Sequence, residues 1–289
     1  MLTHHSLTPT TPARVVLLGA QGFLARALLA GLAARKMPAL ALGSAVLDLT
    51  ATDAADRLAG QLKADDALVM MSAITPDKGR DATALMKNLA MGKAVSEALM
   101  RRPVAHAVYV SSDAVYSFDR ALVNEESPAA PTDLYGVMHR TRELMLESAV
   151  KGPLAVLRPT MVYGAGDSHN SYGPNRFRRM AAKDGKITLG GNGEETRDHI
   201  YIDDAAELMI RVLRHRSGGR LNLATGRSVS FRQLAGLVAA RGRKAEIVAT
   251  VRSVPVTHRA FDVTACRKAF PDFVFTPLET GLDRSAGDV

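Results

Sequence analysis

An α/β fold is predicted by this sequence: a doubly wound parallel sheet, with a smaller mixed α/β domain on its C-terminal side. Three observations predict it. Short apolar runs alternate with longer helical patterns from Arg14 onward, a glycine turn joins the first such pair, and the texture becomes turn-rich after Gly164. The chain has 289 residues, 47% of them hydrophobic, enough to bury a substantial core and far from the composition of a disordered chain.

Taken in order, Met1–Ala13 is polar and proline-containing and reads as a disordered leader of a cytoplasmic protein, with neither the apolar stretch nor the cleavage site of a signal peptide. Val15–Leu18 is the first strand. Gly19 to Gly22 turns the chain into a helix whose apolar residues Phe23, Leu24, Ala27, Leu28 and Ala30 recur at three to four residues. Leu40–Leu42, Ala67–Met71, Ala107–Val110 and Leu154–Leu157 are further buried strands, with helical stretches at Ala82–Met100 and Tyr135–Val150 between them. Ala205–Leu213 is a later apolar helix that Asp203 or Asp204 is placed to cap. The resulting division is a leader at 1–13, a doubly wound domain from Arg14, and a second, smaller and more irregular domain beyond Gly164.

Lys and Arg exceed Asp and Glu by 37 to 29, a net charge of +8 that attracts anions. The basic residues are dispersed and lack aromatic interleaving or zinc-finger spacing, so a phosphorylated small molecule is expected and a nucleic acid is not. The apolar stretches are too short to span a membrane. The single cysteine, Cys266, reads as a packed thiol, and no histidine pairing outside His4-His5 has metal-ligand spacing, so no metal is expected.

Gly19-x-x-Gly22-x-x-Ala25 follows a strand and opens a helix, the context a dinucleotide fingerprint requires. Glycines allow the backbone to approach a pyrophosphate, and the helix N-terminus offers unpaired amides. An acidic residue that would favour a free ribose 2′-hydroxyl is absent at the end of the second strand, where Gly43-Ser44 stand, and no arginine follows directly to take a 2′-phosphate. NAD and NADP both remain open, NAD slightly favoured. Asp48-Leu49 are placed to meet an adenine edge.

Ser111-Ser112-Asp113 ends the fourth predicted strand, and Tyr135-Gly136-Val137-Met138-His139 opens the helix after it. With these residues the chain, from Arg14 to about Leu282, resembles the extended short-chain dehydrogenase/reductase family, the NAD-dependent epimerases and dehydratases of nucleotide sugars. The resemblance implies a Rossmann-type doubly wound parallel sheet and NAD or NADP as cofactor, with 14–166 as the NAD(P)-binding domain, 199–226 returning to it, and 167–198 with 227–289 as the substrate-binding part. It implies a catalytic set of Ser112, Tyr135 and the residue four positions on, which here is His139 in place of the family lysine. Cofactor contacts are implied at Gly19, Gln21, Gly22, Phe23 and Leu24, at Asp48 and Leu49, at Ser72, Ala73 and Asn88, at Ser111, Tyr135 and His139, and at Pro159 and Val162. Substrate contacts are implied at Asp113, Asn175, Arg176, Arg197 and Arg259, the last two as clamps on a diphosphate. Two helices, Ala82–Met100 and Tyr135–Val150, are apolar enough for the homodimer common in the family.

The chemistry needs a group that can hold or give a hydroxyl proton, and a phenol does both when its pKa of about 10 is pulled toward neutrality. Neutral imidazole does this less than lysine, while Arg142, two turns past Tyr135, places a permanent charge on roughly the same face. Ala114 stands where the dehydratases carry a proton-transferring glutamate, which disfavours elimination of water. The expected function is therefore epimerisation or keto-reduction of a nucleotide-linked sugar. The other reading is a dinucleotide-binding sensor or regulatory protein of the same fold whose chemistry has weakened.

Overall fold

Alternate residues of the first strand enter different cores: Val15 and Leu17 pack into one hydrophobic cluster, Val16 and Leu18 into another. A strand apolar on both faces must lie between two helical layers, and the computed structural model, which describes residues 1–167, 170, 173–241 and 245–285, shows that arrangement. Strands β1 (Arg14–Leu18), β2 (Ala39–Leu42), β3 (Asp66–Met70), β4 (His106–Val110), β6 (Leu154–Pro159) and β10 (Gly219–Leu223) form one sheet in the order β10-β6-β4-β3-β1-β2. Every pairing in it is parallel. Helices α1 (Phe23–Ala34) and α6 (Ile202–Arg214) cover one face; α2 (Ala54–Gln61), α3 (Ala82–Arg101) and α4 (Leu134–Ala149) cover the other. The chain reverses its direction of travel between β1 and β3, and a ligand crevice opens at the carboxyl ends of strands at such a point.

The smaller part is mixed. Strands β7 (Met161–Tyr163), β9 (Thr196–Tyr201) and β11 (Ser228–Ser230) make a three-stranded sheet, and β8 (Lys186–Gly190) pairs in parallel with β12 (Glu246–Thr250). With α5 (Pro174–Asp184) and α7 (Phe231–Ala239) they enclose a third core around Phe177, Leu189, Phe231 and Leu234.

Two sequence expectations change. Met1–Ala13, expected as a disordered leader, is seated instead: Thr3 exchanges backbone hydrogen bonds with Gly218, and the His4 ring lies 4.3 Å from His215 and bonds to Ser217 and the Ala269 carbonyl. The loop after α6 offers unpaired backbone groups that the segment satisfies, which a polar composition cannot reveal. Neither Asp203 nor Asp204 caps α6; Asp204 instead accepts hydrogen bonds from the amide and hydroxyl of Thr276, tying in a distant segment. Cys266 is buried, which raises its thiol to about 12 and keeps it inert. No helix among the described residues is long and apolar enough to cross a membrane. His169, and residues 286–289 of the expected substrate-binding part, lie outside the described residues.

Candidate active site

The crevice at the β1/β3 reversal is a cleft of about 780 Å³. It begins at the β1–α1 turn. Gly19 has φ +86°, and a Cβ there would lie 2.8 Å from the Ser72 amide nitrogen, so only glycine lets this turn touch the chain leaving β3. Gly22 is the N-cap of α1 and provides no capping side chain, and the first turn carries no acidic residue. The first-turn amides are thus left for an anion, and the cradle fits a pyrophosphate.

Of the residues expected to meet a cofactor, Gly19, Gln21, Gly22, Phe23, Leu24, Asp48, Leu49, Ser72, Ala73, Ser111, Tyr135, His139, Pro159 and Val162 line this cleft. Asn88 does not. It is buried on α3 behind the wall, its side-chain amide donating to the Ile74 carbonyl and its Oδ1 accepting from the Ile74 amide, so it holds the 72–75 segment in shape. Asp48 is exposed, and its Oδ1 accepts from the Thr50 amide and hydroxyl, bonds that keep its carboxyl below the usual range. Gly43 and Ser44, which also line this end of the cleft, carry neither a carboxylate nor a guanidinium.

Ser111 and Ser112 follow β4 and do different work. Ser111 is buried and donates to Glu143 Oε1 at 2.7 Å. Glu143 also takes two hydrogen bonds from Arg158, and Arg158 in turn donates to the Tyr116 hydroxyl, a buried polar truss between β4, α4 and β6. Ser112 Oγ accepts from the Ala114 amide at 3.1 Å as the cap of the 3-10 turn Asp113–Val115; its hydroxyl also stabilises the Asp113 carboxylate against burial, and Ser112 lines the cleft.

Tyr135 and His139 lie one turn apart at the start of α4, their rings edge-to-face at 4.6 Å. Asp133 caps this helix by accepting from the Gly136 amide. Gly136 permits a close approach: a Cβ there would sit 2.2 Å from the Ala114 carbonyl oxygen, so a bare helix start brings Tyr135 to the Ser112 turn. Burial raises the Tyr135 phenol above its ordinary value, with the charge of Arg142 opposing. Burial and, after it, Arg142 push His139 well below the normal imidazole range, so its ring is neutral. His139 therefore brings no charge to Tyr135.

The expected substrate residues separate into two places. Asn175 and Arg176 line the cleft. The Asn175 amide is already used, donating to Asp167 at 2.6 Å and accepting from Arg178 at 2.8 Å, so it braces the cleft wall. Asp113, Arg197 and Arg259 are outside the cleft lining; the Arg197 and Arg259 guanidinium carbons lie 4.8 and 4.4 Å from the Phe118 ring centroid, and both charges act on the Asp113 carboxyl. Arg197 donates to Thr257, and Arg259 donates to the carbonyls of Tyr116 and Ser117 while its Nε and Nη1 have no protein partner. Burial raises the Asp113 carboxyl, against the two arginines. Tertiary approach of β9, the 116–118 segment and the 257–259 segment creates this cluster, and linear spacing does not record it.

Sequence reasoning did not find Tyr109, on β4, whose hydroxyl lies 2.7 Å from His139 Nδ1. Its signal was a tyrosine in the middle of a buried strand, since a buried phenol needs a hydrogen-bond partner. Lys78 and Arg80, in the loop after β3, also line the cleft and belong to no motif.

Over 139 residues, 45% of this chain, the sequence is 33% identical to a dTDP-4-dehydro-6-deoxy-D-allose reductase of Streptomyces bikiniensis; the match spans 41% of that relative's length. In structure the chain is similar to MoeE5 in complex with UDP-glucose and NAD, with a TM-score of 0.81 at 20% identity over 94% of this chain and 97% of the other. It is likewise similar to a GDP-L-fucose synthetase from Naegleria fowleri bound to NADP, with a TM-score of 0.82 at 16% identity over 99% and 96%. These two show a shared fold. Residues 15–224 match the model of the NAD dependent epimerase/dehydratase family, and the chain, with its six-stranded parallel sheet and its glycine-turn cleft, belongs to that family.

Proposed function

We propose that this chain binds NAD or NADP in the cleft and oxidises or reduces one carbon of a nucleotide-linked sugar, the step that epimerases and keto-reductases share, with Tyr135 exchanging the hydroxyl proton. The observation that carries this reading is the placement of Ser112 and Tyr135 together on the wall of the cleft that starts at the Gly19 turn. The cofactor supplies the hydride acceptor or donor. The first-turn amides of α1 receive its pyrophosphate, and the 72–75 segment braced by Asn88 forms the opposite wall. Ser112 donates to the reacting oxygen; in the oxidising direction Tyr135 takes the hydroxyl proton as its phenolate and becomes the phenol, and in the reducing direction the phenol gives its proton to the forming alkoxide and becomes the phenolate. Ala114 has no proton to exchange, so the site is one for hydride and hydroxyl-proton transfer rather than for elimination.

The ligands of the similar proteins support a nucleoside diphosphate sugar as substrate, as do Arg197 and Arg259, whose paired charges suit a diphosphate. Pairing of two copies through α3 and α4 is part of the same proposal; exposed Met86, Met100, Val137 and Leu144 on these helices support it. A specific observation also favours the sensor reading: His139 is neutral and the Tyr135 phenol is raised rather than lowered.

Calorimetric titration with NAD, NADH, NADP and NADPH, then with nucleotide sugars on the best of these, tests the reading. Dinucleotide binding, selection of one sugar nucleotide and turnover that Tyr135→Phe abolishes without loss of cofactor affinity are expected. Dinucleotide binding without turnover on any sugar nucleotide would leave the sensor, and no dinucleotide binding would overturn both.

A further inference from the structure

His139 is 2% exposed, yet it lines the cleft, and its Nε2 has no protein partner. Its other nitrogen, Nδ1, is 2.7 Å from the hydroxyl of Tyr109, which is 1% exposed on the sheet face that α3 and α4 cover. Near that hydroxyl is Arg142, fully buried, whose charge acts on the phenol. Arg142 is held rigidly: its Nε donates to the Asn88 carbonyl at 2.8 Å and its Nη1 to the Ser72 carbonyl at 2.7 Å.

These three side chains leave one consistent set of protons. A guanidinium has donors only, so Arg142 cannot accept the Tyr109 proton. Among the described residues the acceptor at hydrogen-bond distance from the Tyr109 hydroxyl is His139 Nδ1, and the phenol directs its proton there. A neutral imidazole whose Nδ1 accepts carries its hydrogen on Nε2. Burial and the Arg142 charge exclude the imidazolium, in which Nδ1 would face the Tyr109 hydroxyl as a second donor. Tyr109, Tyr135 and Arg142 are the titratable groups facing the ring.

The geometry points to Tyr109 as a positioning residue that, backed by Arg142, locks His139 into the Nε2–H tautomer and makes it a fixed single donor into the cleft beside Tyr135. Where a lysine would contribute a charge and three rotatable donors, this chain contributes one oriented N–H dipole. Its natural acceptor is a hydroxyl oxygen of the dinucleotide. That part rests on the proposed function, whereas the tautomer does not.

The test uses the full chain labelled with ¹⁵N-histidine, the His139 signals being assigned through His139→Gln. Between pH 6 and 9 the wild-type ring is expected to show Nε2–H alone, without titration. Tyr109→Phe is expected to give a mixture of both tautomers and to weaken dinucleotide binding about three- to tenfold, the size of one lost hydrogen bond. Nδ1–H or an imidazolium in the wild type, or an unchanged tautomer in Tyr109→Phe, would overturn the inference; the wild-type spectrum decides even where the variant does not fold. Addition of the dinucleotide is expected to shift the Nε2 proton. Binding that leaves this proton unmoved would overturn the donor role, and absence of binding would overturn the proposed function while the tautomer stands.

Discussion

Glu143 and Arg158 meet side-on beneath the candidate active site, Nε to Oε1 at 2.9 Å and Nη2 to Oε2 at 2.7 Å, with both side chains out of water. Burial alone would raise the Glu143 carboxyl; the hydrogen bonds and charge of Arg158 reverse that and hold it below the usual range. Breaking such a pair strands the remaining charge. Glu143→Ala is expected to cost about 3–5 kcal/mol in urea denaturation, and Glu143→Leu combined with Arg158→Met to cost less than the single change.

Gly136 sets how near α4 comes to the turn that carries Ser112. In Gly136→Ala the new methyl meets the Ala114 carbonyl oxygen and Pro131, and the helix start must retreat. The Gly19 turn is untouched. Turnover of the preferred sugar nucleotide is expected to fall about a hundredfold, as misplacement of reacting groups by an ångström does, while the dinucleotide Kd from calorimetry changes little.

Restoring a lysine at position 139 would place an ammonium in a dry site next to Arg142. His139→Lys is therefore expected to destabilise the fold by about 1–3 kcal/mol and to leave kcat/KM at pH 7 no higher than before, because burial and the guanidinium drive the amine to its neutral form. Denaturation and a pH–rate profile check both.

Burial and, after it, the charge of Arg197 lower His199 to about 3, while the unfolded ring titrates near 6.5. The unfolded chain thus binds a proton that the folded chain refuses, so the stability associated with this neutral ring is present above pH 6.5 and is lost as the solution is acidified toward pH 3. His106, lowered to about 4, behaves in the same way. Relative to wild type, His199→Phe is expected to gain about 2 kcal/mol between pH 7.5 and pH 5, read from denaturation curves at the two pH values.

Much of the large sheet was legible in the chain because parallel strands covered on both faces are unbroken apolar runs: Val15–Leu18, Ala67–Met71 and Ala107–Val110 fall within a residue of β1, β3 and β4. The short helix α2 and the small strands β8, β11 and β12 were not, since each is short and packs a partner far along the chain. The cleft's two ends differ similarly. Gly19 and Gly22 act through local backbone geometry, which a motif records, whereas Asn88, placed among cofactor contacts by the family resemblance, braces the wall from behind.

The sequence by itself determined the periodic elements, the glycine turn and the order Ser112, Tyr135, His139, because each depends on neighbours a few residues away. Only the tertiary structure decided what those residues meet. Tyr109 lies on a strand and His139 on a helix, and their hydrogen bond forms because α4 packs across β4; Arg197 and Arg259 likewise converge on Phe118 from separate segments, and their charges act on Asp113. Protonation and tautomer depend on such surroundings, on burial and on neighbouring charges, and none of these is a property of position in the chain.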